Sequence, residues 1–220
     1  MTDTNDLISS LTADARPVRR LAHPLERAGL WLLAAVAIIA LLGLEHGMRP
    51  DLAAQLSKGS FALGCAASLA TGVLAAFGCL MASLPDRPRA WLLLPLPSLA
   101  VWVSTIGYGC LTDWVSFNDG TMHLGEAARC FATLVLVSLP LSGAMFVMLR
   151  HVARLRPTAV TLTAGLAVAA MTATAMSLLH QLDATIMILM WNLGMAVVIV
   201  AVEGALGKRV LLWMDRMSAG

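Results

Sequence analysis

The sequence predicts an all-α polytopic membrane protein in which six transmembrane helices form one bundle and both termini are cytoplasmic. Three observations lead to this prediction: the composition, the length of the apolar stretches and the distribution of basic residues. Hydrophobic residues make up 59% and charged residues 13% of the 220 residues, whereas a soluble domain normally carries about 25% charged residues. With a mean hydropathy of +0.80, most of the chain is expected to lie in lipid.

Six apolar stretches approach or exceed the roughly 20 residues that an α-helix needs to cross the hydrocarbon core of a bilayer. They are residues 25–44, 60–84, 90–110, 127–149, 158–179 and 184–206. Unpaired backbone cannot sit in lipid, so closely linked spans of this kind are expected to form a single bundle. Pro95 and Pro97 in the third stretch and Pro140 in the fourth are expected to kink their helices. Frequent Gly, Ala, Ser and Thr residues favour close approach of helix backbones.

The basic residues alternate in number from loop to loop, and this alternation predicts the orientation. Twelve of the 15 Lys and Arg residues lie on one side: Arg16, Arg19, Arg20, Arg27, Arg87, Arg89, Arg150, Arg154, Arg156, Lys208, Arg209 and Arg216. Only Arg49, Lys58 and Arg129 lie on the other side. By the positive-inside rule, the chain divides into a cytoplasmic segment 1–24, a transmembrane bundle 25–206 and a cytoplasmic tail 207–220.

The N-terminal segment has the pattern of a short amphipathic helix. Leu7, Ile8 and Leu11 recur at helical spacing, and Pro17 is expected to end the helix because proline removes a backbone donor. A lone helix of about a dozen residues is marginal in water, so the apolar face needs a surface to lie on. That surface is either the lipid bilayer, with the flanking arginines near anionic headgroups, or the groove of a partner protein.

Several functional classes are excluded or disfavoured by what the sequence lacks. It contains no HExxH, GxSxG or P-loop motif and no paired carboxylates at catalytic spacing, so no enzymatic activity is expected. The predicted spans contain almost no ionisable residue at mid-depth, which disfavours a carrier or channel. The basic residues are spread over the loops and form no patch that could bind nucleic acid directly.

The predicted outer face carries one group of residues with chemical potential. Cys110, His123, Cys130 and His180 fall there together with several carboxylates, and thiolate, imidazole and carboxylate are the ligands of zinc and other transition metals. The two thiols would form a disulfide if their backbones came close enough. One interpretation is an envelope sensor of metal or oxidant; the other is an ordinary polar loop. No resident cofactor is predicted apart from such outer-face metal binding.

The order of these features resembles the NrsF-type membrane anti-sigma factors, six-span negative regulators of extracytoplasmic-function sigma factors. The stretches that carry the resemblance are Asp6-Leu7-Ile8 through Arg19-Arg20-Leu21, Arg49-Pro50-Asp51-Leu52, Cys130-Phe131, and Leu179-His180 before a last span with Trp191. The resemblance implies a bacterial inner-membrane protein. It would sequester the sigma factor through its cytoplasmic N-terminal segment and release it on envelope stress.

The resemblance also implies roles for individual residues. The residues that would bind the sigma factor are Asp6, Leu7, Ile8, Leu11, Arg16, Arg19 and Arg20. Cys130 matches one cysteine of the family's outward sensor, whereas the second, in a His-Cys-Pro segment, is replaced here by Gln181 in His180-Gln181-Leu182. The alternative function is an envelope metal or redox sensor, or a carrier, that acts directly through the outer-face Cys, His and Asp residues.

Overall fold

The computed structural model describes residues 4–13, 22–113, 124–149 and 157–179 and the backbone of Gly194. These residues form helices joined by turns, as the sequence predicts. The helices are α1 (Thr4–Ala13), α2 (Pro24–His46), α3 (Leu52–Leu56), α4 (Gly59–Ala82), α5 (Leu96–Asp113), α6 (Leu124–Leu149) and α7 (Pro157–Leu179), with a 3₁₀ helix at Arg89–Leu93. Apart from Gly194, the predicted sixth span, residues 184–206, lies outside the described residues, as does the tail.

Five of the described helical segments are long and apolar enough to cross a membrane. They coincide with the first five stretches predicted from the sequence, and they alternate in direction. We call the proximal end the end at which α2 begins and α4 and α6 finish. The distal end is the one at which α2 and α7 finish and α4 begins. The most extensive helix pair is α4 with α7; α4 also contacts α5 and α2, and α6 contacts α7 and α2.

Small residues allow α4 and α7 to approach closely. A Cβ atom on Gly72 would lie 2.8 Å from Met171 Sδ and 3.2 Å from the Met171 backbone nitrogen, so a larger residue at that crossing would require Met171 to shift. Near the distal end, the hydroxyl oxygens of Ser68 and Thr174 are 2.9 Å apart in a buried hydrogen bond between the two helices. Lipid tails are as apolar as leucine, so packing and interhelical hydrogen bonds of this kind hold membrane helices together.

The third span is built differently from the continuous kinked helix expected from the sequence. A 3₁₀ helix covers Arg89–Leu93, and α5 begins only at Leu96. Pro95 lies at the junction because it has no backbone N–H to continue a helix through this point, while its carbonyl accepts the Leu99 N–H at 2.9 Å. In contrast, α6 continues as one helix through Pro140.

Candidate functional site: the N-terminal helix and the two ends of α2

Helix α1 carries the described part of the predicted partner-binding segment. Its first turn contains Asp6, a favourable place for a negative charge because the helix dipole is positive there. Asp6 is exposed, and Ile8 is 54% exposed. Among the described residues, α1 belongs to none of the closely packed helix pairs. An apolar side chain therefore stands exposed on a helix that forms no extensive packing with the described bundle.

The other predicted partner-binding residues are only partly described. Leu7 and Leu11 are one helical turn apart in α1, and their side chains lie outside the described residues. Arg16, Arg19 and Arg20 also lie outside them. The described part of the helix reaches Ala13, and the predicted stop at Pro17 lies outside the described residues.

The proximal end of α2 contains a buried arginine. Arg27 is 6% exposed, and its Nη2 atom donates a hydrogen bond to the carbonyl of Met148 in the last turn of α6. The last four carbonyls of a helix have no partner within it, and a cation is favoured there by the helix dipole. The other terminal nitrogen, Nη1, has no hydrogen-bond partner among the described residues. We call the contact between Arg27 and Met148 the proximal clamp.

A second polar contact ties the same half of α2 to α6. The indole Nε1 of Trp31 donates to the carbonyl of Leu141 at 3.0 Å, and the Trp31 side chain is fully buried. Ala28 and Ala35 are also fully buried, and they lie on the same face of the helix at helical spacing. The first half of α2 is therefore packed into the bundle.

At the distal end, a glycine lets the chain leave α2 sharply. Gly47 follows the last residue of α2 and has a φ of 80°, a conformation that glycine adopts at little cost and other residues avoid. The turn brings the next residues back over the end of α7, where the backbone N–H of Arg49 donates to the carbonyl of Leu178 at 3.2 Å. This hydrogen bond ties the chain after α2 to the last described turn of α7.

The side chain of Arg49 makes a compact ionic cluster. Its Nε and Nη2 atoms meet the two carboxylate oxygens of Asp51 at 2.6 Å and 3.0 Å, which is the two-pronged geometry favoured between guanidinium and carboxylate. Gln55 donates to Asp51 Oδ2 at 3.0 Å, and the guanidinium lies 5.5 Å from the ring centroid of Phe61, within the range of a cation–π contact. We call Arg49, Asp51, Gln55 and Leu178 the distal clamp.

The electrostatics of the distal clamp follow from these hydrogen bonds. The Arg49 side chain is only 8% exposed, whereas that of Asp51 is 38% exposed. The hydrogen bonds from Arg49 and then Gln55 lower the pKa of Asp51 to about 2, because both donors stabilise the ionised carboxylate. The cluster is therefore ionised under all physiological conditions.

The predicted sensor residues lie at or beyond the limits of what the structure describes. Cys110 is in the last turn of α5 and Cys130 in the second turn of α6, both towards the distal end, but neither side chain is described. His123 and His180 lie outside the described residues. Among the described residues, no three His, Cys, Asp or Glu side chains lie close enough to hold a metal ion. The sensor stays a prediction.

The two remaining cysteines behave as the sequence indicates. Cys65 and Cys79 are free thiols in α4, the first half-buried and the second fully buried. They are ordinary small residues of the helix packing. The Sγ atom of Cys79 lies 3.9 Å from Met145 Sδ of α6, which is part of the packing between α4 and α6.

Sequence reasoning missed the role of two arginines. Arg27 is counted there among the topology-setting basic residues, although it lies inside an apolar stretch, and that position was the available signal. Arg49 and Asp51 enter only through the resemblance, although an arginine and an aspartate two positions apart at the end of a span can pair. Neither pattern indicates which helix end the arginine would contact.

Comparison with known families decides the identity. Residues 11–213 match the family described as NrsF, negative regulator of sigma F. The chain belongs to the NrsF family. Neither a curated protein nor a solved structure matches it. As a member of the NrsF family, the protein is a negative regulator of a sigma factor. The matched residues include the last three residues of α1, the helices from α2 to α7 and the predicted sixth span.

Proposed function

We propose that this protein is a membrane-bound anti-sigma factor that sequesters an extracytoplasmic-function sigma factor through its N-terminal segment. The proximal end of the bundle would face the cytoplasm of a bacterial cell, with the distal end outside the inner membrane. Envelope stress, in the form of a metal or an oxidant, would release the sigma factor. Family membership supports the partner class, and the five apolar helices support the membrane setting.

The observation that carries this proposal is the state of α1. Ile8 is more than half exposed on a helix that makes no close packing with the described bundle. Exposed apolar positions on a short amphipathic helix are what a helix-in-groove interaction uses. Burying one such side chain contributes about 1.5–3 kcal/mol, so two or three of them would dominate the binding free energy.

The alternative, direct metal or redox action through outer-face Cys, His and Asp residues, gains no support from the described residues. We therefore retain Cys110, His123, Cys130 and His180 as proposed sensors of the release signal. The lipid bilayer is the proposed setting and not the proposed target of α1, because the acidic residue Asp6 is exposed beside Ile8 and would be repelled by anionic headgroups.

The test is capture of sigma factor by the full-length protein in lipid nanodiscs. The variant Leu7→Asp/Leu11→Asp introduces two charges one turn apart on the predicted apolar face. The matched control, Ser9→Asp/Ala13→Asp, introduces two charges at the same spacing on the opposite face, where both residues are exposed. We expect the first variant to weaken binding by about a hundredfold or more and the control to bind like the wild type.

The sigma factors to be tried are those of the extracytoplasmic-function class from the same cell, beginning with any encoded beside this gene. Ile8→Asp should behave like the first variant. Binding that is equally strong in wild type, Leu7→Asp/Leu11→Asp and Ile8→Asp would contradict the proposed role of α1. Failure of the wild-type protein to bind any of these sigma factors would remove the sequestration mechanism.

A further inference from the structure

Helix α2 is attached at both ends by arginines that each meet the carboxyl end of another helix. At the proximal end, the Arg27 side chain donates to Met148 near the end of α6. At the distal end, the Arg49 backbone donates to Leu178 near the end of α7, at 3.2 Å, and its side chain is held by Asp51. Helix α2 directly follows the N-terminal segment, so any movement of α2 moves the point from which that segment leaves the bundle.

The distal half of α2 depends on its clamp more than the proximal half does. Between Val36 and Glu45 no side chain is buried, whereas Ala28, Trp31 and Ala35 in the proximal half are fully buried. In the distal half, a Cβ atom on Gly43 would come within 3.6 Å of Leu179 Cδ2, so there the helix runs beside the end of α7. Ile38, Ile39 and Leu42 in this half are only partly buried where they pack against the core, so the distal clamp contributes a larger share of the attachment here than the proximal clamp does in the first half.

The chemistry of each clamp favours two discrete states. A buried guanidinium that loses its principal hydrogen-bond partner is left desolvated without compensation, so each clamp is favoured either closed, with that partner in place, or open, with the arginine rehydrated. Arg49 is 9% exposed and Arg27 is 6% exposed, and each clamp includes a hydrogen bond to a carbonyl in the last described turn of another helix. Energetic coupling between distant sites requires an element with two such arrangements that both sites can bias.

We propose that α2 acts as a strut that couples the distal clamp to the proximal clamp, with Arg49 and Arg27 as the positioning residues. The consequence for sigma-factor control rests on the function proposed above: opening of the distal clamp would change how the N-terminal segment is presented. A continuous 23-residue helix transmits displacement of one end to the other over about 34 Å. Coupling free energies are reciprocal, so opening of the proximal clamp must loosen the distal one.

The test is amide hydrogen exchange, followed by mass spectrometry, on the full-length protein in lipid nanodiscs. Arg49→Gln removes the charge of the guanidinium and its paired hydrogen bonds to Asp51. Asp51→Asn removes only the negative charge that Arg49 pairs with, and Lys58→Gln is the control. Lys58 is exposed and belongs to the same short connection before α4, so its variant loses the same charge without touching the clamp. Peptides covering residues 174–179 report on the distal clamp, and those covering 145–149 report on the proximal clamp.

We expect Arg49→Gln and Asp51→Asn to raise exchange at both ends by at least about fivefold, because loss of a buried hydrogen-bonded partner shifts local opening to that degree. Arg27→Gln should raise exchange at 174–179 as well as at 145–149. Lys58→Gln should match the wild type. Faster exchange confined to residues 174–179 in the Arg49 and Asp51 variants would overturn the strut, and so would unchanged exchange at both ends.

Should Arg49→Gln fail to accumulate, Asp51→Asn still decides the question, since Asp51 is partly exposed and its variant leaves the buried arginine in place. The exchange experiment contains no sigma factor, so its outcome is independent of sigma binding. The link to control is tested by sigma-dependent transcription in unstressed cells at equal membrane abundance. Transcription that is the same in Asp51→Asn, Lys58→Gln and wild type would overturn the effect on presentation even where the clamps are coupled.

Discussion

The charge of the distal clamp depends on the ionisation of a single residue, Asp51. The Arg49 guanidinium and the Gln55 amide both donate to its carboxylate, and the pKa of Asp51 consequently falls from its ordinary 3.8 to about 2. A carboxyl group with a lowered pKa in the folded state contributes stability above its unfolded pKa and loses it as the pH falls through the folded value. The clamp is therefore insensitive to mild acid.

We expect the difference in thermal unfolding between wild type and Asp51→Asn to stay constant from neutral pH down to about pH 4 and to disappear towards about pH 2. The measurement is the melting temperature of the nanodisc-embedded protein, followed by tryptophan fluorescence, across this pH range. Gln55→Ala should give a smaller difference with the same pH dependence. A difference between wild type and Asp51→Asn that is already lost between pH 7 and pH 5 would contradict the lowered pKa.

The residues predicted to bind the partner differ in how far the structure describes them. Ile8 was predicted from its spacing, and the structure shows it exposed on a helix. Leu7 and Leu11 share its helix, and their contribution stays a prediction, as do those of Arg16, Arg19 and Arg20. An arginine in this segment does not by itself indicate its partner, because the same residue suits a headgroup and an acidic protein surface equally well.

At the scale of secondary structure, the close approach of helices depends on glycines at particular crossings. A Cβ atom on Gly78 of α4 would lie 2.6 Å from the backbone carbonyl oxygen of Trp91. A backbone atom cannot move aside as the end of a flexible side chain can, so the 3₁₀ segment before α5 would have to shift. The abundance of small residues predicted close helix packing, and Gly72 and Gly78 confirm it.

We expect Gly78→Ala to destabilise the bundle by about 1–3 kcal/mol, the usual cost of overpacking. The matched control is Gly143→Ala in α6, where an added Cβ atom meets nothing within 4 Å. Alanine is a better helix former than glycine by about 1 kcal/mol, so the control should be neutral or slightly stabilising. Unfolding of the purified protein in mixed micelles measures both, and equal stability of the two variants would contradict the close approach at Trp91.

The junction at Pro95 was foreseen only in part. Two prolines in one apolar stretch indicated irregularity, and the structure places a 3₁₀ helix before Pro95 and an α-helix after it. Pro140, by contrast, lies inside an uninterrupted α6. The same residue type thus has different consequences, because neighbouring helices decide whether the freed carbonyl and the local bend can be accommodated.

At the scale of the whole molecule, the number of spans and the orientation are the main predictions still to be tested. Alternating basic residues predict six spans with both termini inside, and the described residues contain five apolar helices that fit the first five. A five-span protein would place the two termini on opposite sides of the membrane. The C-terminal tail therefore distinguishes the two topologies.

Reporter fusions measure this directly. Alkaline phosphatase, which is active only outside the inner membrane, should be active when fused after Gln55, Asn118 and Leu182. Green fluorescent protein should fluoresce when fused after Asp86, Ala153 and Gly220. Phosphatase activity after Gly220, with no fluorescence at that position, would contradict the sixth span and place the C-terminal tail outside.

The sequence by itself determined the class of protein, the family and the positions of the first five membrane-spanning helices, because all three depend on composition and order along the chain. Length and apolarity predict a membrane helix without reference to any other helix. The charge pattern likewise predicts orientation from loop composition alone, and the exposed Ile8 follows from local spacing.

Only the tertiary structure decided what Arg27 in α2 and Arg49 just after α2 contact. Met148 lies 121 positions after Arg27 in the chain, and Leu178 lies 129 positions after Arg49. Which carbonyl an arginine meets depends on how each helix is rotated and where its partner ends, and that is set by packing between segments that are far apart in sequence. A charge at the edge of an apolar stretch therefore predicts topology, whereas its function as a clamp appears only when the helix ends come together.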